Sequence, residues 1–126
     1  MSFLTNINIT IYKQTALYKT CSPVEQIILR VLAVINHRIG QAKFKQILQE
    51  LSHADAFNRL KLDGQFTIEM KQHLEMQGLI SATQEGIKLS PYLADYLTRI
   101  TLEEESFEGV VDVIERIYPV ISAYSW

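Results

Sequence analysis

The chain has 126 residues, 48% of them apolar and 21% charged, with a formal net charge of −2. That is the length of one domain with apolar side chains enough for a core, which excludes an intrinsically disordered chain. The single cysteine, Cys21, excludes an internal disulfide framework, and no apolar run approaches the roughly 20 residues that span a bilayer.

Residues 1–21 read as an N-terminal arm. Ile7, Ile9 and Ile11 alternate with Asn8 and Thr10, the period of a strand, while Leu4, Ile7, Ile11 and Tyr18 also fit a helix. The alternation predicts an extended arm or short strand followed by a helical turn. Ser22-Pro23-Val24-Glu25 is a helix start. Ser22 caps, Pro23 takes the first position, where its missing N–H costs nothing, and Glu25 reaches back to complete a capping box. Val24, Ile27, Ile28, Val31, Leu32, Ile35 and Ile39 then recur at helical steps, which predicts a central core helix stopped by Gly40. The next helix, from Gln41 or Ala42 to Leu51, should bury Phe44, Ile47, Leu48 and Leu51 and leave Lys43, Lys45, Gln46, Gln49 and Glu50 in water. Ser52 to Phe66 is a polar connection with an amphipathic turn at Ala56, Phe57 and Leu60 and a turn signal at Asp63-Gly64.

Thr67 can cap a short helix carrying Met70, Lys71 and Leu74, and Gly78 ends it because glycine enters the left-handed C′ conformation cheaply. Leu79 to Ala82 reads as a strand, Thr83 to Gly86 as a tight turn, and Ile87 to Leu89 as the returning strand. Ser90-Pro91 opens another helix, with Leu93, Tyr96, Leu97 and Ile100 on one face. Thr101-Leu102-Glu103-Glu104 predicts a helix restart with a second capping box, Glu103, Glu104 and Glu105 lying at its positive end. Phe107, Val110, Val111, Ile114, Ile117, Tyr118 and Ile121 continue an apolar stripe until Pro119 ends or kinks the helix. The tail from Val120 to Trp126 is apolar and aromatic, where a chain end is usually polar. It predicts an N-terminal piece of a longer protein, or else a tail packed on the domain or on a second copy.

Motifs that carry chemistry are missing from the sequence. Gly40, Gly64, Gly78, Gly86 and Gly109 stand alone, in neither GxxxxGK[ST] nor GxGxxG. His37, His53 and His73 lie far apart, without the spacing of a metal site. Cys21 stands just before a helix start, a position that can lower a thiol pKa, but a nucleophile also needs a base and a positive environment. No catalytic, cofactor or metal site is expected. Residues 1–12 contain no basic segment followed by a long apolar run, so no secretory signal is read and the expected compartment is the cytoplasm.

Charge is distributed unevenly. Residues 1–66 carry eight Lys and Arg against four acids, +4, and residues 67–126 carry four against ten, −6. Candidate phosphate contacts are Arg38, Lys43, Lys45, Arg59 and Lys61. Helical angles sort the segment before the turn. With Leu74 inward, Met70, Lys71, Gln77 and Gly78 fall inward or at the edge, and Glu69, Gln72, His73, Glu75 and Met76 fall outward. Two carboxylates and no arginine make a poor reader of DNA, since phosphate contacts supply much of the affinity. That outward set, with Trp126, is instead the candidate protein-docking face.

Ile27 to Leu97 resembles winged-helix domains. The resemblance rests on Phe44-x2-Ile47-Leu48-x2-Leu51, His73-Leu74-x3-Gly78-Leu79-Ile80, Gly86-Ile87-Lys88-Leu89-Ser90-Pro91 and Tyr96-Leu97, in that order. It implies a mainly α fold with a small β-hairpin: an arm over 1–21, a winged-helix core over 22–100, and a C-terminal helix and tail over 101–126 packed on that core as one domain. The connection of about fifteen residues departs from the 3–4-residue turn of a tight helix-turn-helix. Tyr92 through Phe107-Glu108 and Tyr118-Pro119 to Trp126 looks like the N-terminal region of bacterial Swi/Snf-type helicase-like ATPases. The bacterial kleisin subunits of chromosome condensation, which begin with a dimeric winged helix, make a rival parent. The function expected from these readings is a non-catalytic accessory module. It would dock on other domains of its parent, on a protein partner or on a second copy as a homodimer, with at most weak contact to a double-stranded DNA backbone. A stand-alone dimeric transcriptional regulator is the alternative.

Overall fold

The computed structural model describes residues 3–53, 62–103 and 108–117. Its elements run α1 (Phe3–Thr20), α2 (Pro23–Ile35), α3 (Gln41–Leu51), α4 (Leu62–Gln65), α5 (Ile68–Met76), β1 (Ile80–Thr83), β2 (Gly86–Leu89), α6 (Pro91–Leu102) and α7 (Glu108–Ile117). The fold is mainly α with one small antiparallel hairpin, as the sequence pattern requires. Among the described residues no helix is long and apolar enough to cross a membrane.

The N-terminal segment departs from expectation. Residues 3–20 are one helix, not an extended arm. Packing decides this against the β-branched alternation. Tyr18 is buried and meets Tyr96 of α6 edge-to-face, with ring centroids 6.1 Å apart. Gln14, one turn earlier, donates from Nε2 to the Gly78 carbonyl at 3.0 Å and accepts from Ser90 Oγ at 2.6 Å. In the helix Gln14 and Tyr18 lie on one face with a rise of about 6 Å between them, where a strand would spread them over about 13 Å.

Helix α2 begins as read. The Ser22 side chain accepts from the Glu25 amide, and the Glu25 carboxylate accepts from the Ser22 amide at 2.9 Å. Its end differs. The helix stops at Ile35, not at Gly40, because Asn36 takes the left-handed conformation with φ 55°. Asparagine reaches that region more readily than other side-chain-bearing residues. The early stop frees Ile39 to run extended beside the hairpin. Ile39 N–H donates to the Ile87 carbonyl and Ile87 N–H to the Ile39 carbonyl, both at 2.9 Å.

The hairpin pairs Ile80 with Leu89, Ser81 with Lys88, Ala82 with Ile87 and Thr83 with Gly86, so Gln84 and Glu85 form the tip. Helix α5 ends in a full Schellman arrangement. Gly78 has φ 77° and donates to the Glu75 carbonyl, and Leu79 donates to the Leu74 carbonyl. The core collects Ile28, Leu32 and Ile35 of α2, Phe44, Ile47 and Leu48 of α3, Leu74, Ile87 and Leu97. Phe44 and Phe66 meet edge-to-face at 5.2 Å.

Three further expectations are corrected or set aside. Asp63-Gly64 lies inside α4 and does not form an open turn. Thr101 does not cap a new helix: it is buried within the last turn of α6, which runs on to Leu102. The amphipathic turn at Ala56, Phe57 and Leu60 lies outside the described residues, as do Glu104, Glu105, Phe107, Tyr118 and the tail from Pro119 onward. Helix α7 packs on α3 and α2, buries Ile114, and brings Arg116 within 3.3 Å of the Glu50 carboxylate.

Gly86 is the position least able to change. Its φ is 133°, and a Cβ there would lie 2.1 Å from the Ile39 carbonyl oxygen. Gly86→Ala is therefore expected to cost about 3 kcal/mol in urea unfolding. Gly40→Ala, where an added Cβ meets nothing within 4 Å, should stay within about 1 kcal/mol of the parent.

Candidate docking face

Helix α5 is held at both ends and by one buried side chain. Thr67 caps it through an Oγ1 that accepts from the Met70 amide at 3.2 Å, and Leu74 is its only fully buried residue. Everything else follows from the helical angle. Glu69, Gln72, His73, Glu75 and Met76 are all exposed, as their positions opposite Leu74 require. Met76 is 88% exposed, an unusual state for so large an apolar side chain. Ile68 belongs to the same face, at 62% exposed, and the sequence reading missed it. The signal was available: Ile68 lies about 120° from Leu74 by the same angular count.

The charge on this face is negative. Glu69 and Glu75 project from it, and Glu85 is exposed at the hairpin tip. The only lysine of α5, Lys71, is half-buried and turned aside, its Nζ 3.2 Å from Gln41 Oε1 on α3. His73 leans toward the start of α2, its Nε2 4.0 Å from Glu25 Oε2.

Among the described residues the candidate phosphate contacts are Arg38, Lys43 and Lys45. Arg38 is spent internally. Its Nη1 donates to the carbonyls of Gly86 at 3.0 Å and Ser81 at 3.3 Å and reaches Thr83 Oγ1 at 3.4 Å, while Nη2 donates to Ser81 Oγ at 2.6 Å. It clamps the two strands of the hairpin from the Ile39 side. Lys43 and Lys45 are exposed on α3 but flank the buried Phe44. One residue on either side of Phe44 places them about 200° apart around the helix, too divergent to track one phosphate row. Arg59, Lys61 and Trp126 lie outside the described residues.

Cys21 stands just before α2, where a helix start can lower a thiol pKa. Burial, with the Glu25 carboxylate adding to it, pushes the thiol up to about 11, the opposite of activation. Its Sγ lies 3.4 Å from the Leu17 carbonyl, as a donor does, and the thiol stays protonated at neutral pH. Among the described residues no three His, Cys, Asp or Glu side chains gather as a metal site would need.

Comparison with protein-family models, with curated proteins and with solved structures finds no match for this chain.

The Arg38 clamp has a measurable consequence. Arg38→Met removes charged donors from three hydrogen-bonded residues of the hairpin and is expected to destabilise the chain by about 2 kcal/mol. Lys43→Met and Lys45→Met, on the exposed flanks, should each stay within about 0.5 kcal/mol. Denaturant midpoints of the three variants check this.

Proposed function

We propose that α2 through β2 forms a winged-helix module and that the chain works as a non-catalytic docking module, gripping polypeptide through the outer face of α5. The winged-helix reading is supported by element order: helix, a bridged extended residue at Ile39, three further helices of which α4 is a single turn, then a hairpin whose second strand pairs back on Ile39. One observation carries the docking reading. The helix that would face DNA in such a module presents Ile68 and Met76 beside Glu69 and Glu75, with no exposed Lys or Arg. Carboxylates repel phosphate, whereas exposed apolar side chains gain by leaving water against protein. Two cations, Arg38 and Lys71, are engaged instead with the hairpin and with Gln41.

The wider setting belongs to the same proposal. A cytoplasmic protein in which this module positions or regulates a DNA-acting motor, as the resemblance to Swi/Snf-type helicase-like ATPases implies, rests on that resemblance alone. Any DNA contact would be a weak one to the backbone.

Fluorescence anisotropy with labelled duplex, titrated with salt, tests the reading. Binding weaker than about 10⁻⁵ M near physiological salt and indifferent to sequence is expected. Tight, sequence-selective binding with a steep salt slope would overturn it in favour of a regulator that reads DNA.

A further inference from the structure

The outer face of α5 has a counterpart elsewhere on the molecule. Helix α1 turns Gln14 and Tyr18 toward Gly78, Ser90 and Tyr96. At about 100° per residue, its opposite side carries Ile9, Tyr12, Lys13, Ala16, Lys19 and Thr20. All six are exposed, Tyr12 at 76%. Helix α1 contains two lysines and no Asp or Glu. Among the described residues, the side chains of Lys13, Lys19, Glu69 and Glu75 form no ion pair or hydrogen bond. Among the described residues, an apolar and basic helix face therefore stands without a partner, as does an apolar and acidic one.

The two faces also match in spacing. Lys13 and Lys19 are six residues apart, and so are Glu69 and Glu75, which is about 9 Å along either helix axis. In an antiparallel pairing Lys13 meets Glu75 and Lys19 meets Glu69. Tyr12 then falls beside Met76, the small Ala16 beside Gln72, and Thr20 beside Ile68. The chain cannot satisfy this pairing within itself, because the bonds from Gln14 to Gly78 and Ser90 hold the inner face of α1 against its own body and turn the lysines outward.

We infer that the partner of α5 is the outer face of α1 from a second copy of this chain, exchanged reciprocally about a two-fold axis. The inference rests on the docking reading and names its occupant. In an isologous dimer the pair of helices occurs twice, so each charge match is made twice and no lysine or glutamate face is left over. Complementary charge sets register and partner choice, and the flanking apolar side chains supply the area removed from water.

Sedimentation velocity of the whole chain, over a range of concentration and salt, reads the association directly. The parent should form a dimer. Lys13→Glu with Lys19→Glu, or Glu69→Lys with Glu75→Lys, should each weaken it about tenfold or more, because like charges then face each other at both copies of the contact. Mixing the two variants should restore association as a heterodimer, and one chain carrying all four changes should dimerise nearly as the parent does. These rescues exclude misfolding as the cause of the losses. A monomeric parent, or a dimer indifferent to all four charges, would overturn the inference. Weakening by the α5 changes without weakening by the α1 changes would also overturn it, while leaving α5 as a docking face for another segment.

Discussion

The mutual pair of backbone hydrogen bonds between Ile39 and Ile87 organises this protein. It ties the segment after α2 to the second hairpin strand, and three local features exist to permit it. Asn36 stops α2 a turn before the apolar stripe ends. Gly86 lets two backbones approach closer than any side chain would allow. Arg38 then fills the space beside the bridge with a guanidinium that serves the carbonyls of both strands. A two-stranded hairpin is marginal alone in water. Here its inner face packs Ile80, Ile87 and Leu89 into the core, and the bridge fixes where that face sits.

With the hairpin fixed, α5 has little freedom. It is joined to β1 by the glycine-terminated Schellman turn, enters through the Thr67 cap, and is seated by one fully buried residue, Leu74, with Met70 packed beside it on the core. A helix seated so lightly leaves most of its surface in water. Its outer residues are acidic and apolar, while Arg38 and Lys71 are committed to hydrogen bonds with the hairpin and with Gln41. The electrostatics thus follow from the packing: the arginine that looks free in the sequence is the one the hairpin consumes.

Much of this was legible from residues alone, for identifiable reasons. The cap at Ser22-Pro23-Glu25, the stop at Gly78 and the opening at Ser90-Pro91 are local chemistry, decided within four residues. The exposed set on α5 followed from one angle once Leu74 was taken as buried. What failed depended on distant partners. Ile7, Ile9 and Ile11 alternate like a strand while Leu4, Ile7, Ile11 and Tyr18 also fit a helix, and contacts of Gln14 and Tyr18 with Gly78, Ser90 and Tyr96, more than sixty residues away, favour the helix. Ile39 fits the helical stripe of α2, and nothing local announces that Ile87 will claim it. Thr101 looks like a cap, but burial in the last turn of α6 overrides its preference. Arg38 looked like a phosphate ligand because its acceptors, two of them backbone carbonyls, carry no sequence signature.

Amide hydrogen exchange at Ile39 and Ile87 probes the organising bond most directly. Both N–H groups should exchange as slowly as those in the centre of α2, through global unfolding only, while the hairpin tip at Gln84 exchanges fast. Exchange at Ile39 as rapid as at Gln84 would contradict the bridge, and with it the placement of the hairpin, the Arg38 clamp and the face that α5 presents.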